Sequence, residues 1–334
     1  CIVFQWRRDE TDDFDILVEV LKFDPDDFPS GGPAQPVEPP YFIRFYLEEI
    51  NERWPDIAHD PYSGNVTVVY TREVIEGNLF RTYYQDLVRN PETGYLRTGG
   101  HGGLCQKTDH NGFWPRIDIG RVTLFGYPTQ SMVGIAYTGR QDDMADVFIN
   151  YWPAAQGEDP NHSYNVKIED EPFADHHAGI VSVDIGPRGT DLAALVFMQA
   201  HDLGWAYPYV TMVHSRSGDF YHLEEGFGDY AYLSYPSIAI HDTNGWPYRA
   251  SVSFFAGNGA PEDYWYPFAR QVRIDSPTQV ALGEPTLISE TVHGSWDYGE
   301  VANHDFGVNT SVSYTHLRAH ETSLHLVCRL LLEK

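Results

Sequence analysis

Two triplets set an imidazole directly beside a carboxylate, Asp109-His110-Asn111 and Asp175-His176-His177, and Asn303-His304-Asp305 offers a third such cluster nearer the C-terminal end. Histidine titrates near neutral pH, and an adjacent carboxylate fixes its tautomer and raises its basicity, so His110, His176 and His177 are candidate general bases. Asp109, Asn111 and Asp175 would then bind substrate beside them. The competing reading is that Asp, His and Asn are turn formers at the start of a strand. Trp54, Trp114, Trp152, Trp205, Trp246, Trp265 and Trp296 present flat apolar faces on which sugar rings could stack, although aromatic side chains serve equally to fill the wedges between sheets. The acidic turns Asp12-Asp13 and Gln141-Asp142-Asp143 carry oxygen ligands suited to Ca²⁺, the one cofactor these residues suggest; an acidic turn is otherwise simply solvated.

Other motifs carry less. Cys105 has no histidine or cysteine at ligand spacing, so it reads as a buried thiol and no metal site is expected there. A Cys1–Cys105 bond remains an alternative, but cysteine is too scarce for a disulfide framework. The stretch from Gly99 to Gln106, GGHGGLCQ, has the glycines of a phosphate loop without its lysine or the helix that must follow. The Asn-x-Ser/Thr triplets at Asn65, Asn161 and Asn309 are expected by chance in a polar β-protein.

The elements that must position these groups are visible as a repeat. WPDIAHD (from Trp54), WPRIDIG (from Trp114) and YPSIAIHD (from Tyr235) are related strings, and Pro55, Pro115 and Pro236 lie 60 and 121 residues apart. HHAGIVSVDIG, from His176, falls midway in the longer gap and keeps the alternation without the proline. Each string reads as a short strand, suited to the crowded inner edge of a sheet. Two-strand units accompany them at residues 2–23, 66–88, 133–152, 192–215 and 250–274, with polar or glycine-bearing turns between the paired strands. Their central aromatics, Phe4, Tyr70, Tyr137, Phe197 and Phe254, recur at intervals of 66, 67, 60 and 57 residues.

Four-stranded antiparallel units at a period of about 60 residues, with no helical periodicity, predict an all-β protein of the β-propeller type. About five blades are visible, and a closed ring would hold six to eight. A string of β-sandwiches is the alternative, with too few residues per unit and no linkers. The Pro/Gly-rich stretch from Pro25 to Pro40 is then an inter-blade loop. In a propeller the loops leading to the innermost strands converge at one mouth of the channel, which would bring the Asp-His triplets together.

Composition narrows the function. With 48 Asp and Glu against 22 Lys and Arg, the net charge of −26 leaves no basic face for phosphates and argues against a nucleic-acid partner. Aromatic residues at 14% argue against disorder. No apolar run approaches the length of a membrane span. An acidic, cysteine-poor chain rich in Tyr, Trp and Gly suits a secreted or cell-surface protein, or a periplasmic one, and its expected partners are carbohydrate or another surface protein.

The Asp-His-Asn triplet followed by a proline-bearing inner strand resembles secreted propellers of the BNR-repeat type, some of which are polysaccharide lyases. The resemblance covers the blade pattern and the Asp109-His110-Asn111 and Asp175-His176 positions; the Asp box, Ser-x-Asp-x-Gly-x-Thr-Trp, is absent. It implies that His110 or His176 abstracts the proton α to a uronate carboxylate. Tyr137 or Tyr235 would then protonate the leaving oxygen, and Arg116 or Arg140 would neutralise the carboxylate. Trp114 and Arg140 join the expected substrate-binding set, although a polyanion would be repelled by so acidic a protein unless the mouth were locally basic. The hairpins, as in IAYTGRQDDMADVFINYW, are similar to those of TolB-type propellers, which implies fold and no chemistry. A non-catalytic sugar-binding or protein-interaction scaffold is the alternative.

The ends are expected to be foreign or cut, as in a metagenomic fragment. From Val312, VSYTHLRAHET resembles one reading frame of a transposase-type library adapter; the match lapses briefly and resumes from Leu326 to Glu333. Residues 311–334 are therefore expected to be an adapter-derived tail, which takes His316, His320, His325 and Cys328 out of consideration. Residues 1–310 are expected to be a propeller fragment, since the chain begins without Met in what reads as mid-strand.

Overall fold

A computed structural model describes residues 2–6, 15–19, 21–22, 35–36, 42–45, 50–60, 63–75, 79–93, 95–105, 111–122, 130–141, 144–155, 164–168, 178–185, 192–201, 205–214, 225–226, 232–240, 247–257, 266–276, 278–288, 298–303 and 309–314. The described residues are all-β, without a helix, and every strand pairing is antiparallel. The first sheet runs β1 (Ile2–Trp6), β2 (Asp15–Glu19), β5 (Phe42–Phe45), and β3 (Leu21–Lys22) pairs separately with β4 (Gln35–Pro36). The second sheet is β6 (Glu52–His59), β7 (Val66–Ile75), β8 (Leu79–Arg89) and β9 (Leu96–Leu104). The third is β10 (Asn111–Val122), β11 (Gln130–Gln141), β12 (Met144–Pro153) and β13 (Tyr164–Ile168). The fourth is β14 (Ala178–Ile185), β15 (Leu192–His201), β16 (Trp205–His214) and β17 (Glu225–Gly226). The fifth is β18 (Tyr232–Ile240), β19 (Tyr248–Gly257), β20 (Tyr266–Ser276) and β21 (Gln279–Leu282), with β22 (Thr286–Leu287) also on β20; β23 (Tyr298–Asn303) pairs with β24 (Asn309–Tyr314). The stretch from Pro25 to Pro40 lies outside the described residues apart from β4.

Each of the four complete sheets is a meander, with consecutive strands as neighbours. That is the cheapest topology, because each pairing closes only a short loop. The sheets then lie face to face. The first strand of each packs near the first strand of the next, through β6, β10, β14, β18 and β23. Val68 and Tyr70 on one face of β7 pack with Ile16, Val18 and Ile43 of the first sheet, whereas Val69 on the other face packs with Ile117, Ile119 and Val133 of the third. Burial on both faces explains why Val66 to Tyr70 is a continuous buried run and does not alternate.

The repeated strings of the sequence prove to be β-bulges. In β6, β10, β14 and β18 the register slips at the same place, between Arg53 and Asp56, Phe113 and Arg116, Ala178 and Val181, and Ser234 and Ser237. In each case two residues oppose one: Trp54-Pro55 faces Tyr70, Trp114-Pro115 faces Tyr137, and Tyr235-Pro236 faces Phe254. Proline has no N–H to give the ladder, so a bulge is where a strand can hold it. The aromatics opposite the bulges stack on cross-strand partners, Tyr70 on Tyr83 at 6.2 Å, Tyr137 on Phe148 at 5.5 Å and Phe254 on Phe268 at 5.9 Å between ring centroids. Such pairs stabilise a sheet by about 0.5–1 kcal/mol each. The fourth sheet corrects the expected repeat by one residue: the position opposite its bulge, Gly179-Ile180, is Met198, and Phe197 lies one step along. The strand that lacks the proline thus also lacks the aromatic opposite it.

Candidate functional site: an aromatic platform on two bulges

Trp54 and Trp114 are the two non-glycine residues with positive φ among the described residues, at 51° and 48°. A residue before proline is normally driven to extended backbone, and a bulky side chain in the left-handed region costs on the order of 1–3 kcal/mol. Strain of that size persists only where the surroundings hold it, and here two adjacent sheets hold it in the same way. The Trp54 ring lies 5.7 Å from Trp114, 5.9 Å from Phe113 and 6.3 Å from Phe80, and Phe80 lies 5.1 Å from Phe113. The four rings come from β6, β8 and β10 and form one cluster. Trp114 remains 37% exposed, and the other three rings are half-buried.

Polar bonds hold the strands under the rings. The Phe80 amide donates to Asn111 Oδ1 at 2.8 Å, joining the start of β8 to the start of β10. The Thr71 hydroxyl donates to the Gly112 carbonyl at 3.4 Å. Just past the first bulge, Asp56 accepts from its own neighbour, the Ile57 amide, at 2.9 Å, and from the Ile117 amide of the next sheet at 2.9 Å. Asp60 ends β6 by accepting from Ser63 at 2.7 Å and from Ser131, at the start of the third sheet's hairpin, at 2.8 Å. Beside the cluster, Arg72 pairs with buried Glu52 at 3.0 Å and sits over the Tyr83 ring at 4.6 Å. Its guanidinium also donates to the Tyr70 hydroxyl at 3.1 Å, and burial pushes that phenol up to about 12.

Of the residues expected to bind or act on substrate, the structure gathers three at one end of the third sheet. Asn111 and Arg140 are directly opposed in register, and Trp114 lies three residues beyond Asn111. Arg116 follows the Trp114-Pro115 bulge and is half-buried. Tyr137 is a core residue, with no exposed surface and its ring stacked on Phe148 within the cluster that joins the second and third sheets. Asp109, His110, Asp175, His176 and His177 lie outside the described residues, as do Asp142, Asp143, Asp12 and Asp13 of the acidic turns. Among the described residues no group of three or more His, Cys, Asp or Glu is placed to hold a metal ion. Cys105 is buried, and its carbonyl accepts from the Asn150 side-chain amide.

Among the described residues an imidazole–carboxylate pair forms between residues that are not adjacent in sequence. His101 Nδ1 lies 3.5 Å from Asp86 Oδ2, and the His101 amide donates to the same oxygen at 3.3 Å. Thr67 donates to the other oxygen at 2.6 Å. Burial raises the Asp86 carboxyl above its ordinary value, with these hydrogen bonds opposing the shift. The glycine run of β9 makes the geometry possible. Gly100 has φ of 69°, and a Cβ on Gly102 would lie 2.5 Å from Gln85 Oε1, whose amide group is occupied by the carbonyls of Asp86, Gly99 and His101. GGHGG is thus a bulged strand closing over Asp86.

No helix among the described residues is long and apolar enough to cross a membrane. The chain matches no protein-family model, and no curated protein is significantly similar to it in sequence.

Proposed function

We propose that the chain is part of a β-propeller of a secreted or cell-surface protein that binds carbohydrate on the Trp54–Phe80–Phe113–Trp114 platform. The propeller reading rests on four-stranded meanders that repeat at a near-constant period and stack face to face, with successive first strands side by side. The binding reading rests on one observation: a tryptophan held in strained backbone keeps more than a third of its surface exposed while its ring packs against two others, Trp54 and Phe113. Sugar rings stack on such faces through their axial C–H groups, with the polar edge left for Asn111 and its neighbours.

The test is a titration of the protein with neutral and uronate oligosaccharides, read by intrinsic tryptophan fluorescence. Trp114→Ala should weaken binding about tenfold, the equivalent of one lost stacking contact. Equal affinity of wild type and Trp114→Ala, or no response to any saccharide, overturns the reading.

A further inference from the structure

Arg249 of β19 and Arg273 of β20 are directly opposed in the register of the fifth sheet, and both are exposed. Like charges set opposite one another destabilise a strand pair. The second sheet also opposes two arginines, Arg72 of β7 and Arg81 of β8, and there Arg72 lies between Arg81 and Glu52, which is bonded to it. In a protein with 22 basic residues against 48 acidic ones, two guanidinium groups placed face to face call for a reason.

The surroundings supply one. A cavity of about 300 Å³ opens beside the pair, lined by Arg249, Arg273, Gln271, Ala281 and Gly283. Arg273 is opposed on its other side by Ala281 of β21, so the row across the sheet reads Arg249, Arg273, Ala281. The next row holds Ser251, Gln271 and Gly283, with Gln271 Nε2 donating to the Ser251 hydroxyl at 2.8 Å and the Gly283 amide donating to the Gln271 carbonyl at 2.8 Å. The small residues at Ala281 and Gly283 leave the hollow open; a Cβ on Gly283 would lie 3.3 Å from the Gln271 carbonyl oxygen. The edge strand bulges between β21 and β22, and Arg270 Nε caps the carbonyl of Gly283 there. Asp275 grips Arg273 with two bonds, at 2.9 and 3.0 Å, which fixes that guanidinium and offsets part of its charge. Among the described residues Arg249 has no carboxylate partner.

We infer that this face of the fifth sheet binds an oxyanion, a carboxylate or sulfate group of a small ligand, between Arg249 and Arg273. The open guanidinium fork of Arg249 matches the two oxygens of such a group, Arg273 adds the N–H groups that Asp275 leaves free, Gln271 lines the polar wall, and the hollow over Ala281 takes the ligand body. The site is independent of the aromatic platform.

The test is calorimetric titration of the full chain carrying Trp114→Ala, which disables the aromatic platform, at low salt with trigalacturonate, with a sulfated disaccharide and with a neutral trisaccharide. At least one acidic probe should bind with one-to-one stoichiometry, lose affinity on raising the salt, and bind about tenfold or more weakly to Arg249→Gln. Ala281→Leu, which fills the hollow and keeps both arginines, should weaken it as well. The acidic probe that binds identifies the anion. Binding of the neutral probe as tightly as the acidic ones, no binding of either acidic probe, or affinity unchanged in both variants overturns the inference. Because Trp114→Ala leaves this site intact, loss of sugar binding at the platform and loss of anion binding here are separable results.

Discussion

The carboxylate of Asp56 accepts the backbone amide of Ile117 at 2.9 Å across 61 residues of sequence, tying the first strand of one sheet to the first strand of the next. The distance is close to one repeat, and the bond leaves from the residue that follows a bulge. The slip in register that accommodates Pro55 thus coincides with the group that fastens neighbouring sheets. Asp56→Ala would leave the Ile117 amide without its acceptor, and the expected cost is about 1–3 kcal/mol. Asp56→Asn keeps one acceptor oxygen and should cost less. Urea unfolding at constant m distinguishes them; equal midpoints for wild type and Asp56→Ala would show that the bond contributes nothing.

Backbone strain at Trp114 can be separated from ring packing. Trp114→Gly and Trp114→Ala lose the same ring, but only glycine occupies a φ of 48° without penalty. The glycine variant should therefore be the more stable of the two by about 1 kcal/mol, the reverse of the usual order within a strand. Thermal melts of the pair measure this directly, and an alanine variant at least as stable as the glycine one would mean that the bulge does not hold the left-handed conformation.

Asp86 should make an unusual contribution to the pH dependence of stability. Burial raises its carboxyl in the folded state, so over the window between the ordinary carboxylate value and the raised one the native state holds a proton that the unfolded state has lost. Stability then falls as pH rises through that window. Asp86→Asn does not titrate, so its stability relative to wild type should improve as pH rises across the same window and then level off. Denaturation curves of both proteins over the acidic range provide the check, and a difference that is flat with pH contradicts it.

Tyr137 distinguishes a core role from a chemical one. The ring is wholly buried and stacks on Phe148, so Tyr137→Ala should cost about 3–5 kcal/mol while Tyr137→Phe, which keeps the stacking, should cost less than about 1.5 kcal/mol. Any saccharide binding should survive in the phenylalanine variant. Its selective loss, in a folded protein, would return Tyr137 to the site.

Much of the fold was legible in the sequence because it is written locally. Polar turns delimit the strands, and short connections force each strand to pair with the next, which is why the hairpins at residues 66–88, 133–152, 192–215 and 250–274 correspond to β7–β8, β11–β12, β15–β16 and β19–β20. The Trp-Pro strings at Trp54 and Trp114 were visible as repeats. Their meaning as bulges was not, since a bulge is a relation between two strands and the string shows only one of them. The same limit hid the slip of one residue that puts Met198, and not Phe197, opposite the fourth bulge.

The candidate chemistry was less legible. Along the chain, imidazole stands beside carboxylate at the expected sites Asp109-His110 and Asp175-His176. The pair that the described structure assembles is Asp86 with His101, on adjacent strands joined by a glycine-rich bulge. Phe80 and Phe113 gave no sign of belonging with Trp54 and Trp114, although the run Phe113-Trp114-Pro115 next to a repeated proline was a usable signal. Arg249 and Arg273 are 24 residues apart and carry no motif; only the register of β19 on β20 sets them face to face.

By itself, then, the sequence determined the strand order, the antiparallel meanders, the period and the acidic character, because turn chemistry, side-chain alternation and charge act over a few residues. Tertiary structure alone decided which aromatic rings are buried and which lie open, and which charges meet. Burial and cross-strand register depend on groups tens of residues away, and a single inserted residue in one strand moves every side chain beyond it to the other face of the sheet.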